Sequence, residues 1–152
     1  MDIRIDDLSG PEVKRILTEH LEDMYASSPA ECVFALDLDA LKQPSITFWS
    51  VWQDKQLLGC GALKALSTEQ GEIKSMRTTQ AARNKGVASS LLQHIIQQAR
   101  LRGMSELSLE TGSTDFFAPA RKLYAKHGFS ECGPFADYKL DPHSVFMTKS
   151  LA

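Results

Sequence analysis

Cysteine is scarce in this 152-residue chain: Cys32, Cys60 and Cys132 are odd in number, far apart and form no CxxC pair. Neither a disulfide framework nor a zinc ribbon is encoded, and the three read as reduced thiols. Histidines at metal-ligand spacing are missing as well, since His20, His94, His127 and His143 form no HxH or HxxxH pair, so no metal site is expected. No run approaches the ~20 apolar residues that span a bilayer, and Asp2, Arg4, Asp6 and Asp7 interrupt the first residues before an apolar core can form. A soluble, cytoplasmic protein without a membrane partner is the expectation. Strong charge of one sign is also lacking: 17 Lys plus Arg face 19 Asp plus Glu, a formal net of −2, which excludes a general electrostatic grip on nucleic acid. Repeats, low-complexity tracts and Pro/Ser-rich linkers are absent, so residues 1–152 read as one domain.

What is present is a mixture of both periodicities. Ile3 and Ile5 alternate with polar residues as a short strand, and Gly10-Pro11 opens a helical pattern carried by Val13, Ile16, Leu17, Leu21 and Met24 to about Ala26. From Ser27 to Pro44 the apolar residues Phe34, Leu36, Leu38 and Leu41 fit either a short second helix or an ordered loop. ITFWSVWQ (Ile46 to Gln53), the polar break Asp54-Lys55 and QLLGCGALKAL read as a hairpin. GEIKSMRTT follows as a third antiparallel strand, with strict alternation placing Ile73, Ser75 and Arg77 on one face and Glu72, Lys74, Met76 and Thr78 on the other. Trp49 and Trp52, three apart in a strand, fall on opposite faces, one in the core and the other free to line an acceptor pocket or a subunit contact.

Gly86 opens the strongest helical pattern, in which Val87, Leu91, Ile95 and Ala99, flanked by Ala88, Leu92 and Ile96, make a broad apolar stripe ended by Gly103. Leu107 and Leu109 mark a strand, Phe117 to His127 a helix, and Phe129 to Cys132 and Val145 to Lys149 two last strands. The order βα, three strands, then α, β, α, β, β gives an α/β (α+β) domain whose mixed sheet carries helices.

Chemistry is concentrated at Arg83-Asn84-Lys85-Gly86-Val87-Ala88, between a strand and that helix. A helix start offers unsatisfied N–H groups and partial positive charge to an anion, and small residues let the backbone touch the ligand. Gly86 and Ala88 supply the small residues, and Arg83 and Lys85 supply charge. With neither GxxxxGK[ST] nor GxGxxG in the chain, the physics points to a phosphate or pyrophosphate held outside a Walker or dinucleotide frame.

Arg83-x-x-Gly86-x-Ala88 after a strand resembles the acyl-coenzyme A signature of the GNAT superfamily of N-acetyltransferases. Ala120-Arg121-Lys122-Leu123-Tyr124-Ala125-Lys126-His127-Gly128-Phe129 is similar to that superfamily's Leu-Tyr-x-x-x-Gly-Phe segment, at the family's separation of one helix and one strand. The resemblance covers about Leu57 to Phe129 well. It implies a largely antiparallel central sheet flanked by helices, with two central strands splayed around acetyl-CoA as cosubstrate. The pyrophosphate would rest on the amides from about Arg83 to Ser89 (Arg83, Asn84, Lys85, Gly86, Val87, Ala88, Ser89), and the pantetheine arm would pair with backbone near Met76 and Thr78. Two departures stand out: Asn84 replaces a glycine common among relatives, and Thr111-Gly112 stands where some relatives carry an asparagine.

The reaction so implied is direct acetyl transfer to a primary amine in a ternary complex. The amine must be neutral to attack, and for a lysine-like amine of pKa ~10.4 this costs roughly 4 to 5 kcal/mol at neutral pH, so a carboxylate base is needed. Glu72, eleven residues before Arg83, resembles the general base of some members, and Glu110 on the next strand is the alternative. Tyr124 occupies the position that protonates the leaving thiolate in many relatives. No cysteine has an adjacent histidine to activate it, which disfavours a covalent route. Asp137, Tyr138 and Ser144 lie where relatives often place acceptor-binding groups. Ten acidic residues against three basic ones from Met1 to Leu41 suit a cationic amine of a small molecule or a peptide. A non-catalytic coenzyme A-binding sensor is the rival reading, and a homodimer is compatible with both.

Overall fold

The computed structural model describes residues 1–27 and 38–152. Its strands are β1 (Asp2–Ile5), β2 (Ile46–Gln53), β3 (Gln56–Ala65), β4 (Gln70–Thr78), β5 (Glu106–Gly112), β6 (Ser130–Cys132) and β7 (Ser144–Ser150), and its helices α1 (Pro11–Ser27), α2 (Leu38–Leu41), α3 (Val87–Leu101) and α4 (Ala118–Lys126). The strands form one sheet in the order β1-β2-β3-β4-β5-β7-β6. Every neighbouring pair is antiparallel except β4 and β5. The mixed, largely antiparallel architecture expected from the sequence is therefore present. Of the unsettled segment, Leu38–Leu41 is a short helix with Leu41 buried, while Phe34 and Leu36 lie outside the described residues.

Two apolar layers cover the two faces of the sheet. On one, the α3 stripe of Val87, Leu91, Leu92, Ile95, Ile96 and Ala99 packs with Trp49, Val51, Leu63, Ile73 and Leu109. On the other, Val13, Ile16 and Leu17 of α1 pack with Leu41, Phe48, Cys60 and Ala62. Trp49 belongs to the first layer, its ring edge-on to His94 of α3, and Trp52 leans on the second. The opposite-face expectation holds. The Trp52 Nε1–H donates to Ser50 Oγ at 2.8 Å, Ser50 in turn donates to Asp6, and the Arg4 guanidinium lies 5.2 Å from the Trp52 ring centre.

The alternation expected along β4 fails at one residue. Cys60 pairs with Arg77 but Ala62 pairs with Lys74, so β4 carries one residue more than β3 over this stretch, and Ser75 is in the left-handed region with φ of 56°. An inserted residue of this kind flips the faces of everything beyond it. Met76 consequently joins Ile73 in the α3 layer, lying over Gly61, and Arg77 turns to the α1 side, where it meets Asp23. The bulge also marks where the sheet opens. The parallel ladder ends at the pair Ile73 and Leu109, whereas β4 runs on to Thr78 and β5 to Gly112. Beyond that last pair the two strands diverge.

Candidate active site

A cavity of about 760 Å³ fills the gap between the diverging ends of β4 and β5. One end is formed by the turn before α3. Gly86 caps that helix with φ of 79°, Asn84 is also left-handed at 64°, and a Cβ built on Gly86 would meet nothing within 4 Å. The backbone there faces open space, as an anion cradle at a helix start requires. Met76, Thr78, Arg83, Asn84, Gly86, Val87, Ala88 and Ser89 all line this cavity, whereas Lys85 lines a neighbouring recess of about 180 Å³ with Gln53 and Asp54. Ser89 Oγ lies 2.7 Å from His127 Nε2, which links the first turn of α3 to the end of α4. Desolvation, with Lys126 and Lys149 nearby, lowers the His127 pKa, so its ring is neutral at physiological pH.

Tyr124 projects from α4 into the same cavity. Its ring packs edge-on against Phe129 at 5.8 Å, and its hydroxyl has no hydrogen-bond partner among the described residues. Burial, with the Glu110 charge adding to it, raises the phenol pKa, so the group is a protonated donor at any ordinary pH. Arg121 fixes the approach of α4 by donating from Nη1 to the carbonyls of Gly112 at 2.7 Å and Thr114 at 2.9 Å. The Phe117 ring lies on Gly112 so closely that a Cβ there would come within 2.1 Å of it. The glycine that departs from some relatives is thus required by packing.

The two candidate carboxylates have different surroundings. Glu72 is 2 % exposed and already engaged: Lys74 Nζ sits 2.9 Å from its Oε2, the Tyr138 hydroxyl donates to the same oxygen at 2.5 Å, and Lys74 donates to Tyr138 at 2.8 Å. Glu110 also lines the cavity but takes part in no ion pair among the described residues. Burial pushes its pKa up to about 7; the Ser144 hydroxyl and Lys74 oppose the rise, and Glu72 and Asp141 assist it. A carboxyl poised near neutrality is suited to moving a proton. Of the acceptor-side expectations, Tyr138 is in the cavity wall and Asp137 is exposed. Ser144 is a β7 residue paired with Gly112.

Three cavity residues carried no signal in the sequence. Arg77 arrives only because of the Ser75 bulge, its Nη2 2.7 Å from Asp23 Oδ2. His20 of α1 is held down at about 4 by burial and by the Arg77 charge, against the pull of Asp23, so it is neutral here. Cys60 is buried with its thiol pushed up to about 12, mainly by desolvation, the opposite of an activated nucleophile. Among the described residues no group of three metal-ligating side chains occurs, and no helix is long and apolar enough to cross a membrane.

Residues 13–129 match the Acetyltransferase (GNAT) family. The uncharacterized N-acetyltransferase YsnE of Bacillus subtilis (strain 168) is 57 % identical over 151 residues, 99 % of this chain and 100 % of the relative. A crystal structure of the acyl-CoA N-acyltransferase type from Klebsiella pneumoniae superposes with a TM-score of 0.80 at 24 % identity, covering 99 % of this chain and 97 % of the other. A GNAT acetyltransferase from Elizabethkingia anophelis, solved with acetyl-CoA bound, has a TM-score of 0.69 at 16 % identity, over 98 % and 97 % of the two chains.

Proposed function

The chain belongs to the GNAT acetyltransferase family, and from that premise we propose that it transfers an acetyl group from acetyl-CoA to a primary amine within a ternary complex. One observation carries the proposal: the open helix start at Gly86, the Tyr124 hydroxyl and the Glu110 carboxyl all face a single cavity between the parted strands. The pyrophosphate rests on the amides that begin α3. The pantetheine arm lies along the free edge of β4, where Met76 and Thr78 offer main-chain groups. The acetyl-CoA held by the Elizabethkingia relative supports the choice of cosubstrate.

In the transfer the amine nitrogen attacks the thioester carbonyl carbon, a C–N bond forms and the C–S bond breaks. Glu110 accepts the proton lost by the amine, since a pKa of about 7 leaves about half of it ionised at neutral pH and matches it to proton transfer there. Tyr124, kept protonated by burial, donates a hydrogen bond and then its proton to the departing thiolate. Glu72 fits the base role less well because its carboxylate already compensates Lys74, and a buried charge deprived of its partner is costly. We assign it to positioning Lys74 and Tyr138. The sensor reading is not favoured, because a proton acceptor and a proton donor both face the coenzyme space. The test is a thiol-release assay on an amine panel with the wild type, Glu110→Gln and Tyr124→Phe. Release that needs both acetyl-CoA and an amine, and falls in both variants, supports the reading. Coenzyme binding without release on any amine would return the protein to the sensor class.

A further inference from the structure

The cavity wall towards α1 holds a cation with one donor left unpaired among the described residues. The Arg77 side chain is 13 % exposed, yet among the described residues the partner of its guanidinium is Asp23 alone, and its Nε is buried with no partner. A guanidinium has five N–H donors in a planar fork matched to carboxylates. The buried Nε–H left without a partner among the described residues is unfavourable unless a ligand completes it. Lys74 differs, because Glu72 and Tyr138 both hold its ammonium.

The charge balance of this wall also limits the acceptor. Lys74 offsets Glu72 and Arg77 offsets Asp23, so Glu110 is the one described carboxyl left for an incoming cation. Of the acidic residues of α1, Asp23 lines the cavity, while Glu12, Glu19 and Glu22 are exposed. Among the described residues a polycation would find one carboxyl for several charges. The neutral His20 ring beside Arg77 adds no charge of its own.

Resting on the transferase reading above, we propose that the acceptor is a small amine that also bears a carboxylate, an amino-acid-like zwitterion, with its carboxylate on Arg77 and its amine directed to Glu110. Arg77 is a specificity-determining residue in this arrangement, and the bulge at Ser75 is what turns it towards the acceptor.

The test is a thiol-release assay with acetyl-CoA and matched acceptors: α-amino acids and ω-amino acids of increasing length, each beside the amine that lacks its carboxylate, with spermidine as the polycation. The wild type is expected to favour the carboxylate-bearing member of at least one pair by roughly 10- to 100-fold in kcat/KM, the worth of hydrogen bonds to a charged group. Arg77→Gln is expected to collapse that ratio towards one, chiefly through KM, and Arg77→Lys, which keeps the charge without the fork, to restore part of it. Amines or spermidine turned over as well as the amino acids would overturn the carboxylate assignment and leave the transferase reading standing. A ratio unchanged in Arg77→Gln would remove Arg77 from the site. No thiol release with any of these acceptors, in a protein that still binds acetyl-CoA, would count against the transferase reading itself and remove the inference with it.

Discussion

The Tyr138 hydroxyl donates to Glu72 Oε2 at 2.5 Å from a residue 66 positions further along the chain. This bond ties the segment between β6 and β7 to the middle of the sheet, and Lys74 closes the triangle by contacting both groups. The Tyr138 ring is further held by Phe135 and Phe146. The triangle builds one wall of the cavity, with the Lys74 ammonium held between Glu72 and Tyr138.

Glu72→Gln is expected to behave as the loss of a structural ion pair. It leaves Lys74, whose side chain is 9 % exposed, without its counter-charge, at about 3 kcal/mol or a fall of roughly 6 to 12 °C in Tm for a chain of this length. Adding Lys74→Met should recover much of it. Full stability in the single variant, with activity restored simply by raising the pH, would instead identify Glu72 as the base.

Glu110→Gln is expected to lower kcat/KM by roughly 10²- to 10⁴-fold, the usual range for a positioned general base. The wild-type profile should bend near pH 7, following the raised Glu110 pKa, and the variant should lack that bend. A pH–rate series on both proteins checks this, and an identical profile would exclude the residue from proton transfer.

The same pair of proteins should differ in stability with pH. Glu110 is raised from 4.5 to about 7 on folding, so the folded state holds its proton longer than the unfolded state and loses stability as pH rises from about 4.5 through 7. Ionising it costs up to about 3 kcal/mol. Glu110→Gln should therefore gain Tm relative to wild type on going from pH 5 to pH 8. His20, lowered from 6.5 to about 4, acts in the opposite sense in both proteins, with stability lost as pH falls from 6.5 towards 4. Melting curves at several pH values separate the two, and a Tm difference independent of pH would contradict the Glu110 assignment.

Tyr124→Phe is expected to reduce kcat by roughly 10²-fold with coenzyme affinity changed little, since the ring and its packing on Phe129 survive. Isothermal titration beside steady-state kinetics makes the comparison. Equal loss of affinity would make the hydroxyl a binding group.

Much of this site was legible in the sequence, for identifiable reasons. The α3 stripe beginning at Val87 and the punctuation by Gly86 and Gly103 are local signals, and they located the helix and the open turn before it. The hairpin at Asp54-Lys55 and the opposite faces of Trp49 and Trp52 followed from period-two alternation. The same rule misassigned Met76 and Arg77, because a single left-handed serine at position 75 resets the strand and nothing in GEIKSMRTT announces it. The different surroundings of Glu72 and Glu110 were beyond reach for another reason. They depend on which carboxylate meets Lys74 and Tyr138 across long sequence separations. Lys85 stands between the left-handed Asn84 and Gly86 and lines the neighbouring recess, a placement that its adjacency to Gly86 does not announce.

Gly86→Glu is expected to weaken acetyl-CoA binding by placing bulk and negative charge where the cradle is now open. A non-glycine residue at φ of 79° also costs about 1 to 2 kcal/mol, so Gly86→Ala is the control for strain alone. Affinity equal in the two folded variants would remove the α3 turn from the phosphate site.

The most direct test of the cleft as a coenzyme site is a thermal-melt titration of the wild type with acetyl-CoA, beside a nucleotide lacking the pantetheine arm. At ~100 times its dissociation constant a ligand specific to the folded state adds roughly 2.7 kcal/mol, or about 5 to 10 °C here. A rise of that size that requires the pantetheine arm is the result expected. No rise at millimolar acetyl-CoA in a well-folded sample would contradict the assignment of the parted strands to the coenzyme.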